Sequence, residues 1–235
     1  MLIKIENEKY IGTPFIELIE VSGIYGAMHG MRNPKNSWRL SDTTKDGVVG
    51  ENDLKLAQTL IKGGNEHRKF LRMIHVQFDL NLPRYVWSEF DTYHFNTKNS
   101  TSTQHKLLNN DDTKDWEETE LDKLLCTRGK IVKENFFFDK ELTFLMNDVI
   151  LELNRTRYDF LHSKSSQEKK ELRRKAKQIL PESWLQMRTV DSNYEELRNI
   201  YLQRRYHTLD LEWGMICKFI ESLPYAKELI LYGIN

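Results

Sequence analysis

The feature that most constrains this chain is a run of strict alternation. Ile74, Val76, Phe78 and Leu80 fall on one side of an extended backbone, and His75, Gln77 and Asp79 fall on the other. A period of two is the pattern of a β-strand with one face buried and one face wet, and such a strand needs neighbours and an apolar cover. The pattern predicts a strand over Phe70 to Leu82, ended by Pro83. Two shorter β-like runs, Leu2 to Ile5 and Phe15 to Val21, open the chain. A second periodicity runs from about Lys140 to His162, where Leu142, Leu145, Met146, Val149, Ile150 and Leu153 trace a helical stripe assigned to the core.

Other helices are signalled by their ends. One runs from Asn52/Asp53 to Lys62 and is stopped by Gly63-Gly64, and another lies around Trp116 to Leu125. Ser165-Ser166-Gln167-Glu168 reads as a capping box that opens a basic helix ending before Leu180-Pro181. Ser192-Asn193-Tyr194-Glu195 reads as a second box, with a helix running toward Arg205. The last helical stretch runs from Thr208 to Ser222, followed by a short tail helix at Glu228 to Tyr232. Ser22 to Gly50 reads as loop, and the aromatic stretch Arg84 to Phe95 followed by the polar Asn96 to Gln104 suggests a site rim. There is no internal repeat and no biased linker, so residues 1–235 are expected to form one α+β (α/β-like) domain. The expected architecture is a central, mainly antiparallel sheet with a helix-rich C-terminal half.

Charge narrows the partners. Lys plus Arg and Asp plus Glu are both 35, so formal net charge is zero and no overall field attracts nucleic acid or anionic lipid. Any polyanion site is therefore local. The basic run Lys169-Lys170 and Arg173-Arg174-Lys175 is interleaved with Glu168 and Glu171, as on a solvated helix face, so no nucleic-acid partner is expected. A hydrophobic content of 39% is too rich for disorder, while mean hydropathy of −0.63 indicates a well-solvated surface. Cys126 and Cys217 are too far apart in sequence for a redox pair or a zinc knuckle, and a reducing cytoplasm is the simplest home. No apolar run approaches the roughly 18 residues that span a bilayer, so no membrane partner is expected. The charged, alternating start Met1 to Asn7 is not signal-like.

Most catalytic signatures are missing. The seven histidines are scattered, with no His-Glu-x-x-His pattern and no Cys/His cluster, so no metal site is expected. Gly47-Val48-Val49-Gly50 has neither Rossmann nor P-loop spacing, and there is no Gly-x-Ser-x-Gly elbow. Lys177, Asn193, Asn199, Arg204 and Glu212 remain. Taken singly, Asn193 closes a helix entrance, Asn199 is a surface amide and Arg204 pairs with a carboxylate. Tyr85, Trp87, Phe90, Tyr93 and Phe95 are either core or a platform for a planar ring.

Taken together, these residues resemble the C-terminal half of flavin-dependent thymidylate synthases. The family pattern places an Ala-Arg-x-x-Leu-Pro before an Asn, a second Asn, an Arg and a Glu. Ala176-Lys177-Gln178-Ile179-Leu180-Pro181, Asn193, Asn199, Leu202, Arg204 and Glu212 follow it without a gap, with Lys177 for the arginine and Glu195 where the family has Arg. Upstream, Glu66-His67 with Phe70, the strand Ile74 to Leu80, and Arg84 are similar to the family's corresponding segments. The Arg-His-Arg signature is replaced by Ser88-Glu89-Phe90, which removes at least two positive charges where the family surrounds flavin and nucleotide. Asn99-Ser100-Thr101-Ser102 resembles the family's Asn-Glu-x-Ser, with Ser102 or Ser100 as the signature serine.

The resemblance implies a methyltransferase that converts dUMP to dTMP, with FAD as cofactor and methylenetetrahydrofolate and NADPH as co-substrates, in a cytoplasmic homotetramer. It implies that Arg84, Ser102, Lys177 and Arg204 hold the nucleotide and that His67, Asn193 and Asn199 contact flavin. Ser102 and Glu89 are the candidate catalytic residues, Glu89 as an acid or base in place of the lost signature. Two alternatives stand beside it: a non-catalytic nucleotide-binding homologue, and a different pyrimidine nucleotide transferase on the same fold.

Overall fold

A computed structural model describes residues 1–108 and 131–234, and the helix expected around Trp116 to Leu125, like Cys126, lies outside the described residues. The sheet is built from β1 (Leu2–Lys4), β3 (Phe15–Ser22), β4 (His75–Pro83), β5 (Thr97–Ser100) and β7 (Leu185–Asn193), in the order β1-β3-β4-β7-β5. Every neighbouring pair is antiparallel. A short ribbon pairs β2 (Tyr10–Ile11) with β6 (Phe138–Asp139). The helices are α1 (Ile24–Gly30), α2 (Glu51–Lys62), α3 (Arg84–Phe90), α4 (Thr103–Leu108), α5 (Thr143–His162), α6 (Ser166–Ile179), α7 (Tyr194–Arg204) and α8 (Asp210–Glu221), and the chain ends on a π-helical turn, Ala226–Ile230. This is the α+β architecture anticipated from the sequence, and no described helix is long and apolar enough to cross a membrane.

β4 is the strand that the alternation marked. Val76, Phe78, Leu80 and Leu82 are fully buried, and α7, α8 and the C-terminal turn cover that face with Leu197, Ile200, Trp213, Phe219 and Ile230. The strand begins at His75, later than the pattern suggested, because Arg68–Met73 forms a 3-10 turn. Adjacent Phe70 and Leu71 are both buried there, which a half-exposed strand does not allow. β7 pairs with β4 over its whole length, from His75 opposite Asn193 to Pro83 opposite Leu185.

A second apolar cluster lies between α5, α6 and β6, built on Phe136, Met146, Leu153, Phe160 and Trp184. Only part of the predicted α5 stripe belongs to it. Leu142, which precedes the helix, and Leu145 are 48% and 59% exposed, while Met146 and Leu153 are buried. Ser165 does cap α6, accepting from the Glu168 amide, while the Glu168 carboxylate is taken by Ser163. The second box is displaced by one residue. Asn193, not Ser192, caps α7 by accepting from the Glu196 amide at 3.0 Å, and Ser192 donates to Glu196 Oε2 at 2.7 Å. Glu195 is thereby released from the cap and binds the Arg68 guanidinium at 2.9 Å in a largely buried pair.

Candidate functional site

β4 hands the chain to α3 at Pro83, whose fixed φ suits a helix entrance, and this places Arg84 at the mouth of a cleft. Its other wall is the turn between β5 and α4. Thr101 is stitched to β7 through its amide and hydroxyl, 3.0 and 3.1 Å from the Met187 carbonyl, and Gln186 donates to the Thr101 carbonyl and Thr103 hydroxyl. Ser102 is exposed at the start of α4. Lys177, in the last turn of α6, closes the third side. The resulting cleft, about 550 Å³, is lined by Arg84, Ser100, Ser102, Lys177, Gln186 and Arg188 among others. Three of the four predicted nucleotide residues therefore converge, and both candidate serines stand there. Cations and hydroxyls around an open groove are the donor set for a phosphate.

Arg204 is not in that cleft. It ends α7 and binds Glu89 across 2.7 Å, with its Nε donating to Tyr93 Oη at 2.9 Å and its guanidinium stacked 4.4 Å from the Trp213 ring. Glu89 Oε2 also accepts from Trp213 Nε1 at 3.0 Å and has His207 Nε2 at 3.4 Å. Glu89 lies more than a quarter-turn round α3 from Arg84, so the two residues taken as catalytic, Ser102 and Glu89, stand on different surfaces. Next to this cluster Tyr85 donates to the buried Glu212. Burial, then Glu212, pushes the Tyr85 phenol far above its ordinary range. Of the aromatic stretch, Trp87, Phe90 and Tyr93 are core, and Phe95 alone is strongly exposed, at 70%.

The predicted flavin residues occupy two further places. His67 lines a cavity of about 680 Å³ with Lys69 and Arg72 and the apolar Met31, Leu60, Phe70 and Met73. Asn193 is committed to its cap and to the Phe95 carbonyl, and borders a smaller groove with His75, His94 and Asp191. Asn199 is half-buried one turn beyond Glu195, on the α7 face that meets the Arg68–Met73 turn. The His67 cavity combines an apolar wall with two cations and the Glu66 carboxylate. Glu195, which the resemblance sets against an arginine, is taken up by Arg68. Among the described residues no cluster of potential metal ligands occurs.

Arg188 was not singled out by spacing, because β7 does not read as a strand. Leu185 and Val190 have opposite parity, and Gln186, Arg188 and Asp191 break the apolar pattern. The signal that finds it is the fold, which places it opposite both Leu80 and Ser100.

The fold is similar to that of solved flavin-dependent thymidylate synthases. Thymidylate synthase X (ThyX) from Helicobacter pylori, solved with FAD and dUMP, superposes with a TM-score of 0.62 at 18% identity, covering 92% of this chain and 95% of that one. A second structure, a flavin-dependent thymidylate synthase ThyX from Helicobacter pylori complexed with FAD and dUMP, gives 0.60 at 17% identity, with 91% and 97% covered. No known family profile matches the chain, and no curated protein matches its sequence.

Proposed function

We propose that this chain, residues 1–235 acting as one unit, is a divergent flavin-dependent thymidylate synthase that binds dUMP and methylates it to dTMP. Methylenetetrahydrofolate is the one-carbon donor and NADPH the reductant. The observation that carries this reading is the convergence of Arg84, Ser102 and Lys177, three of the four nucleotide residues that the resemblance implies, on one basic cleft. A guanidinium and an ammonium facing hydroxyls suit the phosphate of a nucleotide. The cavity beside His67 offers Lys69 and Arg72 to FAD, with Phe70 and Met73 against the ring. FAD held there and reduced by NADPH would supply the hydride; the protein groups bind, orient and exclude water. Exposed Phe144, Leu151 and Tyr158, spaced seven apart along α5 and 83%, 68% and 62% exposed, support assembly into a homotetramer.

The Glu89–Arg204 and Glu195–Arg68 pairs favour a second reading. Both neutralise cations near the positions where the family meets anions, as expected of a nucleotide-binding homologue without the redox step. One experiment separates the two: thermal melting of the purified chain with dUMP and FAD, singly and together, beside its absorbance spectrum. At about 100 times Kd a ligand adds about 2.7 kcal/mol of stability. Stabilisation by both ligands with a flavin spectrum supports the enzyme. Stabilisation by dUMP alone supports the homologue, and none by either rejects both.

A further inference from the structure

We propose that Arg188 is the fixed phosphate anchor of the Arg84–Lys177 cleft and makes that cleft select a nucleoside monophosphate over the nucleoside; this rests on the nucleotide reading above.

The three cations of the cleft are not equivalent. Lys177 is exposed at the end of a helix, and Arg84 is 37% exposed with a loose 3.4 Å contact to Glu182 on the rim. Such side chains adjust to a ligand but lose entropy when they are immobilised. Arg188 is only 15% exposed and its position is already set. Its Nη1 donates to both oxygens of Asp91, at 2.8 and 3.1 Å, its Nη2 donates to Gln186 Oε1 at 3.2 Å, and its guanidinium carbon stacks 4.1 Å from the centre of the Trp87 ring. Trp87 is itself fixed, buried to 1% and bonded through Nε1 to the Gln186 carbonyl. A planar fork held on three sides binds an oxyanion with little further ordering.

Two observations show that this guanidinium is not simply used up by structure. Asp91 is shared with Lys98 at 3.4 Å, so one carboxylate faces two cations and local charge remains positive. Arg188 Nε is buried with no hydrogen-bond partner among the described residues, and Arg188 lines the cleft. That Nε is out of a ligand's reach, but a guanidinium carries five N–H donors and its contacts with Asp91 and Gln186 account for three at most, so donor capacity remains at the cleft. The Ser100 and Ser102 hydroxyls, the partly exposed Arg84 and the exposed Lys177 complete a donor set for a dianionic phosphomonoester.

The test is a titration of the full chain with dUMP, deoxyuridine and inorganic phosphate, using wild type, Arg188→Gln, Arg188→Lys and Lys177→Gln, with melting curves to check folding. Arg188→Gln is expected to weaken dUMP by about thirtyfold and deoxyuridine by less than twofold, and Arg188→Lys to recover part of the loss. A purely structural Arg188 lowers both ligands in parallel; that result, or unchanged dUMP affinity, overturns the proposal. If Arg188→Gln does not fold, the dUMP-to-deoxyuridine ratio in Arg188→Lys decides. Loss in Lys177→Gln with none in Arg188→Gln removes only the role of Arg188. Absence of dUMP binding to wild type removes the cleft reading and this proposal together.

Discussion

Glu89 Oε2 stands 2.7 Å from Nη1 of Arg204, so an acidic residue on α3 holds the guanidinium that the nucleotide reading assigns to the ligand. Both side chains are mostly buried, and Arg204 is sandwiched against Trp213 and Tyr93. The pair is a built-in competitor: a ligand oxygen gains Arg204 only by displacing Glu89. Glu89→Gln keeps an acceptor for Trp213 and removes the charge. Because Arg204 and Glu89 lie outside the Arg84–Lys177 cleft, titration is expected to leave dUMP affinity within about twofold of wild type, with folding stability lowered by about 1 kcal/mol. Full activity in Glu89→Gln rules out Glu89 as an acid or base.

Tyr85 and Glu212 make a second buried contact, on the neighbouring face of α3. Tyr85→Phe leaves a carboxylate that is 4% exposed without this donor, at a cost of about 1–3 kcal/mol in denaturant unfolding. The pH dependence follows from the raised phenol. Its ordinary value is 10.0, so the stability it contributes is complete below that pH and is lost as pH rises above it. The alkaline limb of the stability curve is expected to be shallower in Tyr85→Phe than in wild type.

Asp53 controls the acid limb. It is fully buried at the start of α2, where Oδ2 accepts from Ser41 Oγ, Thr43 Oγ1 and two backbone amides, and Oδ1 binds Arg32 at 2.5 Å. Burial raises its pKa, but the hydrogen bonds from Thr43, Ser41 and Arg32 outweigh that and leave it below the ordinary 3.8. Its stabilisation is therefore present above that value and lost as pH falls through the lower folded pKa. Asp53→Asn leaves Arg32 buried and unpaired, and is expected to cost about 3–5 kcal/mol at neutral pH, with a flatter acid limb in denaturant titrations.

Gly23 turns the chain from β3 into α1 at φ +85°, and a Cβ there would lie 2.1 Å from the Met73 carbonyl oxygen. Gly64, at φ +95°, has open space around the same position. Gly64→Ala carries only the left-handed strain, about 1 kcal/mol, whereas Gly23→Ala must also move the backbone at Met73 and is expected to cost about 3 kcal/mol or more by thermal unfolding.

The parts of this fold legible in the sequence are those where one physical demand acts alone. β4 alternates because one face is core and the other is not, and α6 announces itself because Ser165 must satisfy a free amide. β7 hides because its residues serve several masters: Val190 fills the core, Arg188 turns to Trp87 and Asp91, and Thr189 donates to Asp79. At the site, Arg84, Ser102 and Lys177 were readable only through the resemblance to a family pattern. The capture of Arg204 by Glu89 was not, since the partners are 115 positions apart and meet only when α3 packs on α7 and α8. The individual readings of Asn193 as a cap and Arg204 as an ion-pair partner match the structure. The binding roles given to them by resemblance are the part left to experiment.

The most direct measurement is tritium release from dUMP labelled at carbon 5, incubated with the purified chain, FAD, NADPH and methylenetetrahydrofolate. A thymidylate synthase must exchange that hydrogen for the new methyl group. Release that requires all three additions, and falls at least tenfold in Lys177→Gln, is the predicted result. Absence of release from a folded chain that binds dUMP contradicts the enzyme reading and leaves a nucleotide-binding protein.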